Sequence, residues 1–372
     1  MKYYIIAGEA SGDLHGSNLI TALHKIDPMV DIRAWGGDKM QAAGATLVRH
    51  YKDLAFMGFV EVLKNFYTIL QNISFCKKDI LKYKPDALVL IDYPGFNLRI
   101  AEWAKSQGLK VVYYISPQVW AWKESRVKQI KDSVDKMIVI LPFEKEFYQK
   151  WNYPVSYVGH PLVEEVDAFI DHADDSEIPL YQNNKGTIAL LPGSRKQEIL
   201  KKLPIMLQVS SHFPEYSFVV AKAPGIEDDF YTTMLSSYKN VYAITGKTYS
   251  LLYKAKAALV TSGTATLETA LFFVPQVICY KGNSISYQIA KRLVKIKYIG
   301  LVNLIMDKEV VKELIQHDFN VANVARELDL ILHNENKKAS IQDDYRKLKR
   351  LLGETGHAST QAAKIIYDEV KR

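Results

Sequence analysis

Short apolar runs at Tyr3–Ala7, Ile32–Trp35, Ala87–Ile91, Val111–Ile115 and Met137–Leu141 each precede a longer stretch with helical spacing of apolar positions. Such alternation predicts a parallel sheet with helices on both faces. It stops in "DHADDSEIPLYQNNKG" (171–186), which is polar, acidic and rich in turn formers, and this stretch reads as a linker. The pattern then restarts at Thr187–Leu191, Ser217–Ala221, Val241–Ile244, Ala257–Val260 and Gln276–Tyr280. The expected fold is therefore α/β, with two doubly wound domains (1–170 and 187–344) facing across a cleft. A helical tail (345–372), broken near Gly353–Gly356, is expected to pack back on the first domain.

Between Met57 and Tyr83 the residues Phe59, Val62, Leu63, Phe66, Ile69, Leu70 and Ile73 recur at helical spacing, followed by Lys77, Lys78, Lys82 and Lys84. A wide apolar stripe edged with lysines fits a helix lying in a membrane interface; a helix facing a protein core carries the same pattern. A second basic run, "AKRLVKIKYI" (290–299), adds to a surface that attracts anionic lipid.

Composition narrows the picture. A length of 372 residues, 48% of them hydrophobic and 24% charged, fits a soluble globular protein of about two domains. The net charge of +7 (48 basic against 41 acidic residues) favours phosphate, nucleic acid or anionic lipid without choosing among them. Cys76 and Cys279 have neither zinc-site nor disulfide spacing, so both read as packing residues in a reducing compartment. The opening run ends at Gly8-Glu9, too soon for a secretory signal. The apolar stretch Ala265–Tyr280 is interrupted by Glu268 and Pro275, which argues against a membrane span.

Ligands of doubly wound sheets collect at the carboxyl ends of strands, and four strand ends carry chemistry. The first, "AGEASGDLHG", sets Glu9, Ser11, Asp13 and His15 among three glycines, with helix capping by Ser11 or Asp13 as the plainer role. The second, "LVLIDYPGFN", ends an apolar strand on Asp92, a carboxylate placed to act as a general base or simply as a turn former, before a helix begun near Asn97. In "LLPGSRKQE" the residues Gly193, Ser194 and Arg195 lead into a helix and form an anion site. In "VTSGTATLE" the amides of Ser262, Gly263 and Thr264 suit a pyrophosphate, with Glu268 one turn on to accept from ribose hydroxyls or to cap the helix. Trp120 and Trp122, beside Lys123 and Arg126, fit sugar or acyl contact as well as a core. "TGKT" (245–248) lacks the upstream glycine of a P-loop, and no metal-ligand array is present, so neither metal nor cofactor is expected.

Together "AGEASGDLHG", "MGFVEVL", "IDYPGFN", "YISPQVWAW", "LPFEKEFY", "YVGHPL", "LLPGSRKQEI", "TSGTATLE" and "AKRLVKIKYIGLVNL" resemble the lipid-A-disaccharide synthases, in order from Ile6 to about Leu304. The resemblance implies a GT-B inverting glycosyltransferase that joins UDP-2,3-diacylglucosamine to the 6-hydroxyl of 2,3-diacylglucosamine 1-phosphate and releases UDP. It implies Asp92 as base, with Glu9 and Asp13 as further catalytic carboxylates, Arg195 and Glu268 at the nucleotide, and Ser11, His15 and Asn303 on the acceptor or cleft side. It also implies work at the inner face of the cytoplasmic membrane, without nucleic acid; a second copy of the chain as partner is left open. Gly95 and Val302 depart from the family pattern, which often has Asp and Pro there. A UDP-sugar epimerase and a two-lobed sugar-binding protein share the expected fold and are the alternatives.

Overall fold

The computed structural model describes residues 1–53, 66–122, 124–173, 185–283 and 297–371. They form two compact units, one comprising Met1–Pro161 with Leu352–Arg372 and the other Leu162–Leu351.

The first unit is built on a parallel sheet of β1 (Lys2–Ala7), β2 (Asp31–Gly36), β3 (Thr46–His50), β4 (Ala87–Ile91), β5 (Val111–Tyr114), β6 (Lys136–Val139) and β7 (Val155–Tyr157), ordered β3-β2-β1-β4-β5-β6-β7. The second has β8 (Thr187–Leu191), β9 (Ser217–Lys222), β10 (Val241–Thr245), β11 (Ala255–Thr261), β12 (Gln276–Tyr280) and β13 (Glu313–Ile315), ordered β10-β9-β8-β11-β12-β13 and again parallel. Each order reverses once, between β1 and β4 and between β8 and β11, and at such a switch point a doubly wound sheet leaves a crevice beyond its strand ends.

All ten apolar runs are strands. The three strands without such a run, β3, β7 and β13, all lie at sheet edges. Edge strands keep partial contact with water, as the mostly half-buried residues of these three do, so no continuous apolar stretch is required of them. The helix expected near Asn97 begins three residues earlier, at Pro94, and runs to Ser106; proline at the first turn has no amide to waste there.

The helix Phe66–Tyr83 is tied to the first sheet. Asp79 on that helix accepts from Tyr4 Oη (2.7 Å) and from Arg33 Nε and Nη2 (both 2.7 Å), while Trp35 Nε1 donates to Tyr4 Oη (2.8 Å). Ile73, Cys76 and Ile80 are buried in the core beneath it, and Ile69 packs against them. Ile69 and Ile73 therefore do not face lipid: the helix turns these positions to the sheet, correcting that part of the stripe. Leu70 is 44% exposed, and Phe75 and Leu81 on the same helix are also exposed. Phe59, Val62, Leu63 and the side chain of Phe66 lie outside the described residues. Both cysteines are free and buried. Among the described residues, no helix is long and apolar enough to cross a membrane.

The unit boundaries differ from the expected 170, 187 and 344. The helix Pro161–Asp171 belongs to the second unit from Leu162 onward, because Phe169 packs edge-on against Tyr249 and Phe272 at 5.6 and 5.7 Å. At the other end Tyr345 Oη accepts from Gln276 Nε2 (3.1 Å), which holds the helix Glu335–Gly353 to the second unit as far as Leu351. The last helix, Ala358–Lys371, packs on Ala10–Ile26 in the first unit. Of the expected linker, 174–184 lies outside the described residues.

Candidate active site

In the first unit, Ala7 on β1 is in register with Ile91 on β4, so the turn bearing Glu9 and the turn bearing Asp92 leave the sheet side by side. Asp92 and Tyr93 both have left-handed backbones, φ 45° and 50°, a conformation that costs non-glycine residues free energy and persists only where surroundings enforce it. Here they do: Asn97 Nδ2 donates to the Asp92 carbonyl (2.8 Å), and Tyr113 Oη donates to the same oxygen (2.6 Å). The Tyr93 ring lies over Gly8, where a Cβ would stand 2.3 Å from ring carbon Cγ. Burial and then the charge of Glu9 push the Asp92 carboxyl up to about 6, against a hydrogen bond from the Tyr93 amide that opposes the rise. A half-buried carboxylate of that pKa at a strand end can take a proton near neutral pH.

The other residues of the opening motif divide. Glu9 and Ser11 are exposed. Asp13 is buried and accepts from the amides of Gly37 (2.7 Å), Met40 (3.0 Å) and Lys39 (3.2 Å). Both of its oxygens are thus occupied at the start of the helix Asp38–Ala42, which corrects its assignment as a catalytic carboxylate. It caps a neighbouring helix, not its own. His15 is also buried rather than open to a ligand, and burial pulls its pKa down to about 4. The buried His160 of "YVGHPL" is lowered to about 3 by burial and then by His15; its amide donates to the Leu352 carbonyl (2.9 Å), where the chain returns to this unit.

Two further motifs meet at Glu144, which is 1% exposed. It accepts from Trp120 Nε1 (3.2 Å) and from the amides of Leu141 (3.0 Å) and Ile140 (3.3 Å). Burial raises it to about 7 against these hydrogen bonds. "YISPQVWAW" and "LPFEKEFY" are therefore joined by a carboxyl that titrates near neutrality.

In the second unit, Leu191 on β8 is in register with Val260 on β11, and the turns that follow enclose a cavity of about 480 Å³. Gly193, Ser194 and Arg195 line one side, with Ser262, Gly263, Thr264 and Glu268 on the other. Arg195 occupies the cap position of the helix Lys196–Ser210, and Gly263 that of Thr264–Leu271. The φ values of the two turn glycines, Gly193 at 124° and Gly263 at 125°, are ones that side chains rarely adopt. Two helix starts without a side-chain cap, a guanidinium and small walls make a site for phosphates. Glu268 accepts from Tyr249 Oη (3.2 Å); burial raises its pKa and this bond opposes the rise.

Asn303 is corrected. Fully buried, it donates from Nδ2 to the Val311 carbonyl (2.8 Å) and Glu313 Oε1 (2.9 Å), and its Oδ1 accepts from the amides of Val310 (2.9 Å) and Val311 (3.1 Å). It staples the turn before β13 and has no valence left for a ligand.

Sequence reasoning missed the cavity residues Lys222, Pro224 and Thr248. Lys222 ends β9, so the strand-end rule that found the other turns would have found it. Thr248 lies in the "TGKT" discounted as a P-loop: the spacing is wrong for that motif, yet the residue still faces the cavity.

The model of the family described as lipid-A-disaccharide synthetase matches residues 3–366. A lipid-A-disaccharide synthase of Syntrophus aciditrophicus is 39% identical over 364 residues, 96% of this chain and 95% of that one. One from Coxiella burnetii is 38% identical over 368 residues, 98% of this chain and 97% of the other. Among solved structures, UDP-GlcNAc 2-epimerase from Neisseria meningitidis bound to UDP-GlcNAc has TM-score 0.70, 14% identity and full coverage of both chains. The calicheamicin glycosyltransferase has TM-score 0.62 and 14% identity, covering 100% of this chain and 98% of its own. At such identity these structures speak for the GT-B fold alone.

Proposed function

The chain belongs to the lipid-A-disaccharide synthetase family and is a hexosyltransferase of lipid A biosynthesis; from this premise we propose its substrates and mechanism. The donor is UDP-2,3-diacylglucosamine and the acceptor 2,3-diacylglucosamine 1-phosphate. The acceptor's 6-hydroxyl oxygen attacks the anomeric carbon of the donor as the bond to UDP breaks; the hydroxyl proton passes to Asp92 and the electron pair leaves with UDP. The product is a β-1,6-linked tetraacyl disaccharide 1-phosphate, inverted at the anomeric carbon because one carboxylate serves as base and no glycosyl-enzyme forms.

The work divides between the units. Asp92, with Glu9 holding its pKa up, activates the acceptor. Arg195 and the amides of Ser262–Thr264 hold the diphosphate and the charge that grows on it. Glu268, oriented by Tyr249, accepts from ribose hydroxyls. The observation that carries this reading is the cavity at the β8–β11 switch point, lined by two helix starts and an arginine. The family match weighs against epimerisation, which shares the fold. At the inner membrane face, exposed Leu70, Phe75 and Leu81 on a helix that also exposes Lys78 and Lys82 would meet the lipid that dissolves both substrates.

The test is transfer by purified protein given both diacylglucosamines, read by mass spectrometry. A tetraacyl disaccharide phosphate with equimolar UDP is expected; an unchanged donor, or a donor epimerised at the sugar, overturns the proposal. Binding to vesicles with anionic lipid, compared before and after Leu70→Ser with Phe75→Ser, tests the membrane face.

A further inference from the structure

Beneath the cavity lies a cation that none of the sequence motifs includes. Lys202, on the helix that Arg195 caps, is 3% exposed. Its Nζ donates to Thr261 Oγ1, stands 3.9 Å from Glu198 Oε2 and lies 5.8 Å from the centre of the Tyr280 ring. Among the described residues Thr261 is its one hydrogen-bond acceptor, and Glu198 its one carboxylate within 4.0 Å. An ammonium offers three donors, and burying one costs several kcal/mol unless it is well paired, so so sparse a set of partners calls for a reason. Burial pulls the Lys202 pKa down, and Glu198 pushes it back up.

Thr261 and Glu198 both line the cavity. Thr261 ends β11 immediately before the Ser262–Thr264 turn, and Glu198 lies in the first turn of the helix after Arg195. Lys202 thus contacts one residue adjoining each phosphate turn. A threonine oxygen that accepts from an ammonium directs its own proton elsewhere and donates it more strongly. A carboxylate in a phosphate site repels the ligand unless a cation stands next to it.

We propose that Lys202 is a positioning residue for the diphosphate: its ammonium fixes Thr261 so that the hydroxyl proton is offered to a phosphate oxygen, and it cancels the charge of Glu198 on the cavity wall. This rests on the donor-site reading above and assigns a role to a group that does not itself touch the ligand.

The test compares UDP with uridine, which lacks the phosphates, by calorimetric titration of the wild-type protein, Lys202→Met, Thr261→Val and the double variant. Lys202→Met is expected to weaken UDP at least roughly tenfold, about the worth of one charge-assisted hydrogen bond, and uridine less than about twofold. Thr261→Val weakens UDP in the same sense, and the double variant binds UDP no worse than Lys202→Met alone, since one residue acts through the other. Equal loss for UDP and uridine, UDP affinity unchanged in Lys202→Met, or fully multiplicative losses in the double variant overturns the assignment. Should Lys202→Met fail to fold, Thr261→Val decides: unchanged UDP affinity in that variant overturns it. Wild-type protein that does not bind UDP overturns the donor-site reading, and this assignment with it.

Discussion

Glu9 and Asp92 sit at the ends of neighbouring strands, and the charge of one raises the pKa of the other. If Asp92 is the base, transfer rises with pH through about 6 and levels off above it. Glu9→Gln removes the like charge and moves that inflection down. A pH profile of kcat/KM for both proteins checks this; an inflection unmoved in Glu9→Gln would sink the coupling.

Asp92→Asn is expected to cut transfer by about 10²–10⁴-fold, the usual worth of a general base, with UDP affinity retained. The same substitution alters stability in a set direction. The folded-state pKa is raised from 3.8 to about 6, so the acid contributes stability below pH 4 that is lost as pH rises through 6. Asp92→Asn is therefore more stable than wild type at pH 8, by on the order of 1–3 kcal/mol, and about as stable as wild type at pH 4.

Asp13 gives the contrast. Asp13→Ala strips three amides of their acceptor and costs about 1–3 kcal/mol of stability, while kcat of the folded protein stays within about threefold. Chemical denaturation and steady-state kinetics on one preparation separate the two effects. A loss of turnover as deep as that of Asp92→Asn would return Asp13 to the chemistry.

Gly193→Ala faces two obstacles, a φ of 124° and a Cβ placed 2.7 Å from Glu198 Oε2. A destabilisation of about 1–3 kcal/mol and weaker UDP binding are expected together. Calorimetry that finds both unchanged would show that this turn does not approach the nucleotide.

Glu144 titrates at about 7 while accepting from the Trp120 indole. Intrinsic fluorescence should shift between pH 6 and 8 as that hydrogen bond becomes charge-assisted. The shift should vanish in Glu144→Gln and in Trp120→Phe; its persistence in either would assign it elsewhere.

Both sheets were legible because their inner strands are covered on two faces and must be apolar throughout, as in β4, where all five residues are buried. The edge strands β3, β7 and β13 bear no such requirement and left no signal, although β10, also at an edge, kept an apolar run. At the site, glycines and charged residues at strand ends gave away both switch points. Direction was not legible: Asp13 and Asn303 have the right chemistry for a ligand, but Asp13 turns it on amides of a segment distant in sequence, which only the tertiary fold supplies, and Asn303 on the backbone of the loop that follows it. Lys202 was hidden for the opposite reason, because a lysine within an amphipathic helix reads as solvated and this one is buried.

The first unit is assembled from two separate segments, Met1–Pro161 and Leu352–Arg372, and its last helix covers Ala10–Ile26. On the ribosome, the contiguous second unit has all its residues in hand before the first does. Helix Ala10–Ile26 is therefore made early and must wait, with one face uncovered, until Ala358–Lys371 has been translated.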